Sequence, residues 1–246
     1  MLFTALAVNE FIGIVSKKGE VSVSRPIVIV SSCYLFFAFW FNSIAQGQAL
    51  ILFVPYLAFL VYCYVKELYG NHANPIANLG VIMLSQIYVV LPLALINVLA
   101  HTQFGCYSDR AEFYAIPLSI YIFIWINDTG AYLSGITLGK HKLFPRISPK
   151  KSWEGSIGGA LLTIASAFAV AHFFTFMNIW QWIGMALVVV VFGTFGDLTE
   201  SMMKRHLGIK DSGHILPGHG GILDRLDSML LSIPAVVVYL LAISQL

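Results

Sequence analysis

The chain has 246 residues, 58% of them apolar and only 11% charged, with a mean hydropathy of +0.81. Soluble domains carry about 25% charged residues, so the composition excludes an ordinary water-soluble domain and points to one polytopic membrane domain. The net charge of +2, with no basic–aromatic pattern, excludes nucleic acid as a partner.

Met1 to Val15 is apolar but short, covering about 22 Å of a roughly 30 Å bilayer core. It has no basic start and no small-residue cleavage site, so it is not a signal peptide. Glu10 within it reads as a boundary residue of a truncated span, without a catalytic role. Full spans are predicted at 26–42, 47–65, 76–100, 113–138, 155–176, 178–196 and 226–246. The expected fold is all-α, with about eight transmembrane helices and a polar cavity facing the cytoplasm. Residues 1–110 form N-terminal membrane helices, and 111–246 a C-terminal region that carries the polar chemistry. Alternating the spans places 13 of the 14 Lys and Arg residues on one side, with only Arg110 opposite; the positive-inside rule makes that side cytoplasmic. Cys33, Cys63 and Cys106 are isolated on apolar segments and read as core residues rather than metal or redox groups.

Two stretches interrupt the apolar pattern. The first is "WINDTGAYLSGITLGKHKLFPRISPKKSWEG", residues 125–155. Asp128 lies deep in a span, with Tyr132 one turn later, and an intramembrane acid is a functional candidate by default. The following loop carries Lys140, Lys142, Arg146, Lys150 and Lys151, suited to an anionic lipid surface or a nucleoside triphosphate. For Lys140, Lys142 and Arg146, plain positive-inside loading explains the pattern equally well. Ser148 and Ser152 bracket the Lys150–Lys151 pair, and Gly155, Gly158 and Gly159 permit close approach of the next helix.

The second stretch is more concentrated: nine of the 26 charged side chains lie between Asp197 and Asp227. Asp197, Glu200, Ser201 and Lys204 fall on one face of a helix leaving the membrane. "LPGHGG" then supplies Gly220 and Gly221, whose amides are able to converge on an anion, with His219 placed to contact phosphate. His206 and His214 read as surface residues. A helix is predicted to begin near Leu223, putting a positive dipole end beside this loop, with Asp224, Asp227 and Ser228 on one face. Carboxylates beside an anion-binding loop imply a divalent cation between them. Mg²⁺ takes one or two carboxylates plus phosphate oxygens and water, and Asp197, Asp224 and Asp211 are the candidate ligands.

The residues from Ser201 onward resemble the signature of the phosphatidate cytidylyltransferases, or CDP-diacylglycerol synthases. The matching positions are Ser201, Lys204-Arg205, Lys210-Asp211, His219-Gly220-Gly221, Asp224-Arg225 and Asp227. "NDTGAY" and "SPKKSWEG" resemble the family's second block. The resemblance is strong from about Trp125 onward; such enzymes usually begin with one more hydrophobic segment than is present here. It implies that CTP and phosphatidic acid give CDP-diacylglycerol and pyrophosphate at a bacterial inner membrane, with the site on the cytoplasmic side. It further implies Mg²⁺ with a neighbouring K⁺ at Asp197 and Asp224, and a homodimer. Lys210, Arg225, Lys204 and Arg205 would neutralise phosphates, Gly220 and Gly221 would supply amides, and Asp211 and Asp227 would orient the bases or assist the metal. Lys150, Lys151, Ser148, Ser201, His219 and Asp128 would complete the substrate site. The rivals are a CTP-using lipid kinase, a synthase making a CDP-lipid with ether chains, and an ion-coupled transporter lined by Asp128, Asp197 and Asp224.

Overall fold

A computed structural model describes residues 1–16, 21–101, 114–213 and 220–244. Lys17, Lys18, Cys106, Arg110, His214 and His219 lie outside the described residues. The helices are α1 (Leu2–Val15), α2 (Arg25–Ile44), α3 (Val54–Tyr69), α4 (Pro75–Leu84), α5 (Leu91–His101), α6 (Ala115–Leu138), α7 (Trp153–Phe173), α8 (Ile179–His206) and α9 (Leu223–Ile243). Two short strands, β1 (Lys142–Phe144) and β2 (Ser148–Ser152), pair antiparallel between α6 and α7. Among the described residues, six helical segments are long and apolar enough to cross a membrane: 25–44, 50–69, 75–101, 153–173, 179–206 and 223–243. This is an all-α polytopic membrane protein. Helix α6 has the length, at 24 residues, but Asn127, Asp128 and Thr129 dilute its apolar character.

The chain forms two compact units, Met1–Val98 with His206–Leu226, and Leu99–Arg205 with Asp227–Leu246. In the first unit, α4 starts at a strong stop-and-start signal. Asn74 caps it by accepting from the Ala77 amide at 3.1 Å, and Pro75 supplies a preset φ at the first helical position. Between α4 and α5 the segment Ser85–Val90 widens into a π turn, which aims Gln86 inward. Its Nε2 donates to Ser32 Oγ at 2.9 Å and Ser85 Oγ at 3.2 Å, and Tyr56 Oη donates to its Oε1 at 3.2 Å. Buried polar groups in an apolar bundle need such partners. Helix α1 packs on α2 and on the π turn. Ala7, Val8 and Ile12 have no exposed surface, and the Phe11 ring lies 6.3 Å from that of Tyr88.

In the second unit, α6 and α7 touch along glycines. A Cβ at Gly130 would fall 3.0 Å from Gly159 Cα, one at Gly155 would fall 2.8 Å from the Ala131 carbonyl, and one at Gly158 would overlap Ser134 Oγ. Ser134 Oγ donates to the Gly130 carbonyl at 2.6 Å and reaches across to the Gly155 carbonyl at 3.2 Å. Small residues at a helix interface let dispersion and such hydrogen bonds hold it without help from water. Helices α8 and α9 meet in the same way, since a Cβ at Gly196 would overlap the Asp227 carbonyl.

Candidate functional site

The second unit holds an open cavity of about 610 Å³, within the ~300–1,000 Å³ typical of small-molecule sites. Three helices and the β1–β2 hairpin build it. The close α6–α7 contact turns Asp128, Ala131 and Tyr132 of α6 toward the same space as Gly155 and Ser156 of α7. The hairpin adds Lys142 from β1 and Lys150 and Lys151 from β2, and α8 adds Thr194 and Asp197.

Local capping fixes the hairpin above the helices. Ser152 caps α7 by accepting from the Gly155 amide at 3.1 Å. Glu154 in the first turn accepts from the amides of Lys140 at 3.1 Å and His141 at 3.2 Å, and its Oε1 lies 2.6 Å from His141 Nδ1. A carboxylate there also complements the helix dipole. The strand between these caps can then lift two adjacent lysines with different roles. All three lysines of the hairpin line the cavity; Lys151 Nζ lies 2.5 Å from Asp197 Oδ2, whereas Lys150 and Lys142 are exposed.

Asp197 is half-buried, and its Oδ1 accepts from Ser201 Oγ at 3.2 Å, one turn on. Asp128 feels both the attraction of Lys151 and the repulsion of Asp197. Asp227, beside the Gly196 contact, is in electrostatic reach of Asp197 and Asp128. The unit therefore gathers Asp128, Asp197, Asp227, Lys150 and Lys151 from the predicted set, with Ser201 on Asp197 and half-buried Ser148 in β2. Lys204 Nζ instead pairs with the buried Glu200 Oε2 at 3.0 Å, and Arg205 is exposed.

The first unit holds the rest. Lys210, Asp211 and Arg225 are exposed, and Gly221 is buried. Gly220 takes φ +80°, a conformation that favours glycine. Asp224 Oδ2 accepts from the amides of Ser212 at 2.9 Å and Gly221 at 2.8 Å. The surprise is Glu10. It is 6% exposed, and its Oε1 accepts from Ser212 Oγ at 3.0 Å while Oε2 accepts from the Leu223 amide at 2.9 Å. It is thus an internal anchor of the signature segment rather than a boundary residue. Its partners lie 202 and 213 positions away in the chain, so no local pattern signals the contact. Lys142 was equally open to a membrane-topology explanation, and only its seat on the hairpin distinguishes it from Lys140 and Arg146.

Among the described residues no group of three or more His, Cys, Asp or Glu side chains converges as a metal cage. Mg²⁺ asks for less: one or two carboxylates, with substrate phosphates and water completing the shell. The acids at the cavity offer oxygen donors only, and Asp197 already faces a cation in the form of the Lys151 ammonium. The donor chemistry fits a hard divalent ion.

A family model described as "Cytidylyltransferase family" matches residues 1–243. Among similar proteins are phosphatidate cytidylyltransferases of Staphylococcus aureus (strain COL), 48% identical over 136 residues, and of Staphylococcus haemolyticus (strain JCSC1435), 44% identical over 136 residues. Each alignment covers 55% of this chain and 52% of the relative. The chain thus spans about half the length of the curated relatives it matches.

Proposed function

The chain belongs to the cytidylyltransferase family, and from that premise we propose that it transfers the cytidylyl group of CTP to phosphatidic acid. The products are CDP-diacylglycerol and pyrophosphate. The observation that carries this reading is the cavity in which Lys142, Lys150 and Lys151 face Asp128 and Asp197. Two polyanions must meet there, and their mutual repulsion is the main barrier that a protein is able to lower.

A phosphate oxygen of the lipid attacks the α-phosphorus of CTP, a new P–O bond forms, and the bond to the β-phosphate oxygen breaks as pyrophosphate leaves. The attacking phosphate is already anionic near neutral pH, with a second pKa near 6, so the protein need not supply a strong base. Lys150 and Lys142 are free of the Asp197 pair and meet the phosphates as point charges. Lys151 holds Asp197 in its orientation, and Ser201 steadies the other oxygen. Mg²⁺, with K⁺ beside it, would neutralise charge on the phosphate oxygens. Asp197, with Asp128 and Asp227 nearby, is the acid whose surroundings favour it. Asp224 and Asp211 as ligands rest on the family resemblance, as do the phosphate-neutralising roles of Lys204, Arg205, Lys210 and Arg225. The lysine-bearing end of the cavity belongs to the cytoplasmic face by the positive-inside rule, so CTP arrives from water and the lipid from the leaflet. A bacterial inner membrane and a homodimer follow the same resemblance.

The test is incubation of purified protein with α-labelled CTP, Mg²⁺ and phosphatidic acid. Label in a CDP-lipid with equimolar pyrophosphate is the expected result. Release of CDP points instead to a lipid kinase, and no consumption of CTP contradicts the reading.

A further inference from the structure

Glu10 takes no part in the chemistry just described, yet it is a carboxylate 6% exposed on a mostly apolar helix. Burying a charge is costly unless it is hydrogen-bonded, and both of its oxygens are engaged by the same distant segment. Oε1 accepts from Ser212 Oγ at 3.0 Å, and Oε2 accepts from the amide of Leu223, the first residue of α9, at 2.9 Å. The backbone makes room for it. A Cβ at Gly213 or Gly221 would overlap Oε1, and at Gly213 all three nearest atoms belong to Glu10. Ser212 is held twice, by Glu10 at its hydroxyl and by Asp224 at its amide, 2.9 Å from Oδ2.

We propose that Glu10 is a positioning residue: its carboxylate clamps the two flanks of the signature segment, at Ser212 and Leu223, and so sets the first turn of α9 with Asp224 and Arg225. The catalytic part of this inference rests on the proposed cytidylyl transfer, whereas the clamp itself does not. Only the Leu223 amide is an obligate donor, since the Ser212 hydroxyl both donates and accepts, so removing the side chain, rather than its charge, is what opens the clamp. Glu10→Gln keeps the shape, with its oxygen able to accept from Leu223 and its NH₂ group able to donate to Ser212 Oγ, whereas Glu10→Ala removes both contacts.

The full chain in detergent decides the matter. In Glu10→Ala the amide of Leu223 should exchange with solvent about tenfold faster or more, while exchange across the α6–α7 contact and the melting temperature stay unchanged. Turnover should fall by about a hundredfold, the order expected when reacting groups shift by about 1 Å, and Glu10→Asp should recover part of it. Gly213→Ala alone should also lower turnover, because its methyl meets the Glu10 carboxylate; in Glu10→Ala it should cause no further loss, since its obstacle is gone. Wild-type exchange at Leu223 in Glu10→Ala overturns the clamp. So do losses from Gly213→Ala and Glu10→Ala that multiply, or a rise in exchange spread over the whole protein with a lower melting temperature. A wild-type chain that transfers no cytidylyl group refutes the proposed function, and the exchange data still decide the clamp.

Discussion

The cavity of the second unit and the signature turn of the first use the same side-chain chemistry for opposite ends. At the turn, Glu10 and Asp224 spend their oxygens on Ser212, Gly221 and Leu223, so the acids organise backbone. At the cavity, Asp197 faces a lysine and a hydroxyl, and Asp128 lines open space, so the acids shape a field that a ligand would enter. Carboxylates saturated by backbone amides give precision to a loop. Carboxylates facing side-chain cations leave an electrostatic field for substrate and metal.

Substitutions that separate activity from local order can break this comparison. The largest effect is expected from Asp197→Asn, which should lower turnover about 10²–10³-fold, the range for losing one preorganised electrostatic group, with unchanged amide exchange at Ser212 and Gly221. Near-normal turnover would remove Asp197 from the site. Asp224→Asn should also abolish most activity, but with faster exchange at Ser212 and Gly221, because those amides lose a charged acceptor; unchanged exchange would erase the distinction between the two regions. Gly158→Val acts through packing, forcing the α6–α7 contact open around Ser134, and should destabilise the protein by about 1–3 kcal/mol, visible as a lower melting temperature in detergent. Lys150→Ala should raise the apparent KM for one substrate about tenfold with little change in kcat, and Lys142→Ala should do so more weakly. Identical kinetics in both variants would exclude the hairpin lysines from the site.

The sequence made much of this arrangement legible where the signal was local. The span predicted at 26–42 corresponds to the apolar helix Arg25–Ile44, and the stretch 113–138 is helical over Ala115–Leu138 though less apolar than a span. The helix expected near Leu223 begins there, and the helix leaving the membrane at Asp197 continues to His206. Asp128 stood out because an acid amid apolar residues has no cheap structural excuse. The hairpin was hidden, since Pro149, Lys150 and Lys151 lack the alternation and β-branched residues that mark strands. Glu10 was hidden for a different reason: its meaning depends on a serine and an amide near the other end of the chain. The two units interleave in sequence, so the single stretch from Ser201 to Asp227 contributes to both of them. Motif spacing carries no trace of that division.

The most direct measurement asks whether substrate enters the cavity at all. With Cys33, Cys63 and Cys106 replaced by serine, a Ser156→Cys substitution places one thiol on the cavity wall, and its rate of alkylation reports access. CTP with Mg²⁺ should slow that alkylation about tenfold or more at saturation, as expected for a site whose occupied fraction approaches unity, and GTP should protect far less. Alkylation that proceeds at the same rate with and without CTP would contradict the account.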